Sequence, residues 1–185
     1  MTITVLDPVP ALLLIDLQQG IVTQPLARPG AEIVAAATVL ADGFRRRCLP
    51  VIPVQVVGLP PGRPEHRMPL EQLPPEWFEL VPEIAARADG AVAVKRSWGA
   101  FTGTGLENRL RALGATQLVI AGIATSIGVE STARQAHELG FNVALATDAM
   151  TDRHEDAHRH SVERIFPALG ECGTTADILR LLDRP

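Results

Sequence analysis

Asp16, Lys95 and the stretch Gly122 to Gly128 are the places in this 185-residue chain where residue type and spacing suit chemistry. Asp16 closes the apolar run ALLLID, Lys95 closes AVAVK, and GIATSIG continues from QLVIAGI. A carboxylate and an ammonium held together out of water set each other's protonation, because burial favours the neutral carboxyl and the cation favours the carboxylate. A buried pair of this kind would hold Lys95 charged and let Asp16 exchange a proton near it. A strand that ends in small residues and opens a helix near Thr125 or Ser126 adds backbone N–H groups suited to a developing negative charge. Each residue alone also has an ordinary use. Asp commonly caps a loop after a strand, a Lys stem covers apolar surface, and Gly128 suits close helix–strand packing. Two opposite charges at two separate strand ends are harder to explain one by one.

For these segments to meet, the strands carrying them must lie side by side and run the same way. The order of elements provides for that. ALLLID and QLVIAGI are continuous apolar runs, as expected of strands buried on both faces. VIPVQVV (51–57), AVAVK (91–95), NVALAT (142–147) and a short strand near Glu171 to Thr174 complete about six. Pro53 inside VIPVQVV predicts a strand start or an edge position. Helical patterns separate the strands: AEIVAAATVLADGFRRR, LENRLRALG, a helix ending at Leu139 with Gly140 as its stop, RHEDAHRHSVERIF, and TADILRLL. Alternating strands and helices predict an α/β three-layer sandwich with a mainly parallel sheet, as one domain over residues 1–185. Ligands in such sheets bind beyond the carboxyl ends of the strands, where Asp16, Lys95 and Gly122–Gly128 fall. The segment 58–82 is proline-rich and aperiodic, which predicts a long functional loop covering that edge.

Composition narrows the function classes. With 46% hydrophobic and 21% charged residues and a net charge of −4, the chain reads as an ordinary globular protein without a polyanionic partner, so nucleic-acid binding is not expected. The short run Arg45–Arg47 falls at a helix end, where cations suit the dipole. The opening MTITVLDPVPALLLIDLQQ has no basic region before its apolar run, and the run is too short to span a bilayer, so no membrane partner is expected. Cys48 and Cys172 form neither a disulfide framework nor a zinc spacing, which suggests buried thiols in a reducing compartment and a cytoplasmic location.

LLLIDLQQGI around Asp16, VKRSWGAF around Lys95, LVIAGIATSIGVESTARQAHELGF and VALATDAMTD together resemble the isochorismatase-like hydrolases, a family that includes nicotinamidases and other cysteine amidohydrolases. The resemblance covers almost the whole chain and implies a Rossmann-like α/β/α fold. In the amidohydrolase branch it implies a Cys–Asp–Lys triad in which the thiol attacks an amide or nitrile carbon. Asp16 and Lys95 match that pattern, and the nucleophile position holds Gly128. True isochorismatases are similar to this chain in carrying glycine there. For them the resemblance implies hydrolysis of a vinyl ether without a covalent intermediate, the Asp acting as a general acid of raised pKa. It also implies a cis peptide between Ile123 and Ala124 in an oxyanion-type loop reaching Thr125, a small-molecule substrate, no cofactor, and homo-oligomers.

The chain departs from that branch where the branch carries arginines: Ser97 stands two residues after the lysine, and Gly103 follows the Phe101 region. Arg63, Arg67, Arg96 and Arg153 are the remaining candidates to bind a carboxylate. Ala124 replaces an aromatic residue. Trp98 and Phe101 are expected to line the pocket, with Trp77 and Phe78 as further candidates. No metal is expected: His154 and His158 have a spacing zinc can use but lack a third ligand in register, and His66 stands alone after the second strand. GAFTGTG lacks the last glycine of a dinucleotide fingerprint. Three functions stay open: a cysteine-independent hydrolase with Asp16 as general acid, an amidohydrolase using activated water, and a small-molecule-binding protein without turnover.

Overall fold

The computed structural model describes residues 3–66, 68–88 and 92–183. Six strands, β1 (Pro10–Ile15), β2 (Val51–Val56), β3 (Ala93–Lys95), β4 (Gln117–Ile123), β5 (Asn142–Thr151) and β6 (Glu171–Gly173), form one sheet. Their spatial order is β3-β2-β1-β4-β5-β6, and every pairing is parallel. The α/β sandwich expected from the element order is therefore present.

Consecutive residues of β1 serve opposite faces of the sheet. Leu12 and Leu14 join one core, with Ile33, Ala37, Leu40 and Phe44 of α2 (Gly30–Arg45) and Ile178 of α8 (Thr175–Leu182). Ala11, Leu13 and Ile15 join the other, with Leu106 and Leu110 of α5 (Leu106–Ala112) and Ala133 and Ala136 of α6 (Glu130–Glu138). This two-sided burial explains why ALLLID and QLVIAGI are unbroken apolar runs rather than alternating ones. The small residues Ala133 and Ala136 let α6 lie close to the sheet, and the helix carries Thr132 and Gln135 to the loop after β3.

Two local expectations are corrected. Pro53 sits in an interior strand, neither at a strand start nor at an edge. Val57 N–H donates to the Lys95 carbonyl at 2.9 Å, so odd-numbered residues of β2 face β3. Pairing with β3 begins only opposite Val54, so the missing N–H of Pro53 falls before that ladder starts. The fifth strand also runs four residues beyond NVALAT, to Thr151, with a register shift against β4 between Ile120 and Gly122.

The covering segment contains a 3₁₀ turn (Leu70–Gln72) and two short helices that begin at prolines, α3 (Pro75–Phe78) and α4 (Pro82–Ala85). Among the described residues no helix is long and apolar enough to cross a membrane. Ala91, the first residue expected in the third strand, lies outside the described residues.

Candidate active site

β1 delivers Asp16 through a backbone turn. Its φ of 52° is in the left-handed region, which Asp tolerates better than most side chains, and its N–H still donates to the Val54 carbonyl at 2.9 Å. β3 delivers Lys95 two strands away. The two side chains converge, with Lys95 Nζ 2.8 Å from Asp16 Oδ2, and are 1% and 9% exposed. Lys95 Nζ also donates to the Trp98 carbonyl at 2.6 Å. Asp16 Oδ1 is buried and has no hydrogen-bond partner among the described residues. Burial pushes the Asp16 carboxyl up from its ordinary value to about 6, against the opposing pull of the Lys95 ammonium and, more weakly, the Val56 backbone.

Gly128 lies directly against this pair. A Cβ built on it would stand 2.9 Å from Asp16 Oδ2, 3.0 Å from Ile15 Cγ2 and 3.3 Å from Lys95 Nζ. Gly128 belongs to a wide π-type turn, Thr125–Val129, that leads into α6, and the peptide between Ile123 and Ala124 before it is cis. The turn is fastened from the end of β5. Asp152 Oδ2 accepts hydrogen bonds from Ser126 N at 2.7 Å and Ser126 Oγ at 2.8 Å. The Ser126 N–H expected to serve a ligand is thus occupied by Asp152. Thr125 is fully buried and its Oγ1 lies 2.8 Å from His158 Nδ1. Burial, with a smaller contribution from Arg28, holds His158 below its ordinary pKa despite Glu155 and Asp152. Among the described residues no group of three or more His, Cys, Asp and Glu could hold a metal.

The loop after Lys95 is held by α6. Thr132 Oγ1 donates to the Gly128 carbonyl at 2.6 Å and accepts from Ala100 N at 3.1 Å. Gln135 Oε1 accepts from Phe101 N at 3.1 Å. Trp98, more than half exposed, lines the cavity, and Phe101 does not. Phe101, expected in the pocket wall, is half-buried and instead stacks on Phe141 at 6.0 Å, packed against the core between the sheet and α5/α6.

The floor opens into a cavity of about 550 Å³. Its apolar walls include Leu59, Met68, Leu70 and Trp77 from the covering segment, together with Trp98, Ile123, Ala124 and Ile127. His66 and Arg153 also line it. Phe78, a further candidate for the pocket wall, instead lines an adjoining hollow together with Arg96; of the other proposed carboxylate binders, Arg63 lines neither and Arg67 lies outside the described residues. Gly20 makes room for the cover, because a Cβ there would stand 1.9 Å from the Trp77 ring.

Gln18 is a residue that sequence reasoning missed. Fully buried, it donates from Nε2 to the carbonyls of Val56 at 3.0 Å and Phe78 at 2.7 Å, while its Oε1 accepts from Val56 N at 2.8 Å. Gln55 Nε2 donates to the same Phe78 carbonyl at 2.7 Å. Two glutamines therefore pin the cover to the sheet edge. The only signal in the sequence is the pair of amides next to the acid in IDLQQ, and it does not say what they bind.

The isochorismatase domain family matches residues 10–177. This chain belongs to the isochorismatase family. It is 39% identical over 176 residues to YwoC of Bacillus subtilis, an uncharacterized isochorismatase family protein, covering 91% of this chain and 92% of that one. It is similar to the structure of an isochorismatase family protein from Burkholderia thailandensis, with 40% identity, a TM-score of 0.93 and coverage of 99% and 100% of the two chains. It is also 30% identical over 186 residues to maleamate amidohydrolase of Pseudomonas putida, covering 94% of this chain and 86% of that one.

Proposed function

We propose that this isochorismatase-family chain hydrolyses a small enol ether without a covalent intermediate, with Asp16 as the general acid and Lys95 as its electrostatic partner. The observation that carries this reading is the buried 2.8 Å Asp16–Lys95 pair set against a residue that has no side chain, Gly128. Both thiols are elsewhere. Cys48, expected to be buried, is exposed and lines a separate groove with Pro50 and Val51, and Cys172 is buried in β6 with its thiol pushed up to about 11.

In this mechanism the neutral Asp16 carboxyl transfers its proton to the terminal alkene carbon. The ether carbon becomes an oxocarbenium ion, water adds to it, and the proton lost by that water restores the Asp16 carboxyl. The hemiketal then expels the alcohol and leaves a ketone. Burial favours the carboxyl before transfer, and the Lys95 ammonium stabilises the carboxylate that transfer creates, an interaction that strengthens toward the transition state. The opposition of these two effects gives a carboxyl that titrates at about 6. Activity therefore falls as pH rises through about 6, because the proton-donating form is depleted; roughly a tenth of it is left at pH 7.

A panel of enol ethers assayed in D₂O tests the proposal. Turnover is expected to place one solvent deuteron on the former alkene carbon, and Asp16→Asn to abolish both turnover and incorporation. Turnover that survives Asp16→Asn, or that leaves the carbon unlabelled, overturns it. The likeness to maleamate amidohydrolase favours one second reading, amide hydrolysis by water activated between Asp16 and Lys95. Amides in the same panel separate the two.

A further inference from the structure

We infer that Thr132 is a positioning residue for the Asp16–Lys95 pair: its one hydroxyl locks the loop that holds the Lys95 ammonium to the turn that carries Gly128. Thr132 itself does not line the cavity. The inference deepens the proposed function and rests on its assignment of Asp16 and Lys95 as the acting pair.

Lys95 Nζ is buried and has two acceptors among the described residues, Asp16 Oδ2 at 2.8 Å and the Trp98 carbonyl at 2.6 Å. A buried ammonium that loses one of its acceptors must settle differently against the other. The place of the Trp98 carbonyl therefore decides how closely the cation approaches the acid. The loop with that carbonyl is braced internally, so it moves as a unit. Ser97 Oγ donates to the Gly99 carbonyl at 2.9 Å, and Thr104 Oγ1 donates to the Ala100 carbonyl at 2.7 Å. Ala100, fully buried, is where this loop meets α6, its N–H donating to Thr132 Oγ1 at 3.1 Å.

Thr132 is fully buried as well, and its Oγ1 donates to the Gly128 carbonyl at 2.6 Å, four residues back along the chain. Threonine in a helix commonly makes that bond, which fixes the rotation of the hydroxyl. The single O–H is then spent, and the oxygen lone pairs are left for the Ala100 N–H, 32 residues away in sequence. One atom thus joins the two sides of the pair. On one side is the turn in which a Cβ on Gly128 would stand 2.9 Å from Asp16 Oδ2; on the other is the loop that holds the ammonium. Gln135 serves the loop alone: its Oε1 accepts from Phe101 N, and its Nε2 donates to Thr102 Oγ1 at 2.8 Å.

Carboxyl ¹³C NMR titration of Asp16 reads the pair without any substrate. Thr132→Val keeps the shape of the side chain and removes both bonds. Thr132→Ala removes both without setting a methyl group against the Gly128 carbonyl, and Thr132→Ser keeps both. In the valine and alanine variants the cation is held less closely; a retreat of about 0.5 Å raises the Asp16 midpoint by about 0.5 in pH. Thr132→Ser is expected to keep the parent midpoint. On an enol ether, the first two variants are expected to lose about tenfold in kcat with KM within about twofold, the alkaline limb of the pH profile moving up with the midpoint. In the parent protein the Ala100 N–H is expected to exchange with D₂O as slowly as the amides of β4. An Asp16 midpoint unmoved in Thr132→Val and Thr132→Ala, a rise equally large in Thr132→Ser, or rapid exchange at Ala100 overturns the inference, whatever stability the variants lose. Titration and exchange need no turnover. Absence of enol-ether hydrolysis with the expected midpoints would overturn the proposed function alone, and hydrolysis with unmoved midpoints would overturn this inference alone.

Discussion

Gly128→Ala adds one methyl group at the place where the site is tightest. The new carbon would lie 2.9 Å from Asp16 Oδ2, 3.0 Å from Ile15 Cγ2 and 3.3 Å from Lys95 Nζ, all inside the 3.4 Å at which ordinary contact begins. The carboxylate must retreat by about half an ångström. Retreat is opposed by Lys95, which holds the same oxygen at 2.8 Å. Overpacking a filled interior by one methyl costs about 1–3 kcal/mol. Against this, alanine favours a helical turn over glycine by about 1 kcal/mol, and Gly128 does not need a positive φ. The net loss of stability is therefore about 0–2 kcal/mol, small enough for the variant to fold. Activity should suffer more, because an acid displaced by about half an ångström is expected to lose roughly ten- to a hundredfold in kcat/KM. Denaturant unfolding and steady-state assays on the same preparation separate the two effects. Reduced stability with full activity would mean that Gly128 only packs helix against strand. Unchanged stability together with unchanged activity would refute the close approach itself.

Three further outcomes follow from the geometry. Gln18→Ala strands the buried Val56 N–H and removes one of the two donors to the Phe78 carbonyl; a loss of about 2 kcal/mol in unfolding free energy is expected, together with red-shifted Trp77 emission as the cover loosens. Asp152→Ala leaves Ser126 N and Oγ without their acceptor; it should lower stability by about 1–3 kcal/mol, measured by denaturant unfolding, with Asp152→Asn restoring much of it. Folding raises the Asp16 pKa from 3.8 to about 6, so its stabilising contribution is complete below pH 4 and is lost as pH rises through 6. Relative to Asp16→Asn, the parent should lose about 2 kcal/mol of unfolding free energy between pH 4 and pH 7; parallel stability curves would contradict this.

The parallel sheet was legible in the sequence because its strands are buried on both faces, and a run such as QLVIAGI can hardly be anything else between two helices. The convergence of Asp16 and Lys95 followed from their places at strand ends. Side-chain direction was not legible. Trp98 and Phe101 are three residues apart, yet Trp98 lines the cavity while Phe101 stacks on Phe141, with the loop N–H groups of Ala100 and Phe101 donating to Thr132 and Gln135 of α6. The cover gave no periodic signal because its helices are single turns started by prolines and held by tertiary contacts to Gln18 and Gln55. The Ser126 N–H could not be seen to be occupied, since its acceptor, Asp152, lies 26 residues along the chain. Pro53 misled because the rule against proline in interior strands concerns hydrogen bonds, and here the neighbouring strand starts one residue late.

The account depends most on a single titration. Carboxyl ¹³C NMR of the protein, with the Asp16 resonance assigned by its disappearance in Asp16→Asn, reads that residue directly. The account predicts a midpoint near 6, moving higher in Lys95→Met as the cation that lowers it is removed. An Asp16 midpoint at about 4 or below, or one that does not respond to Lys95→Met, would contradict it.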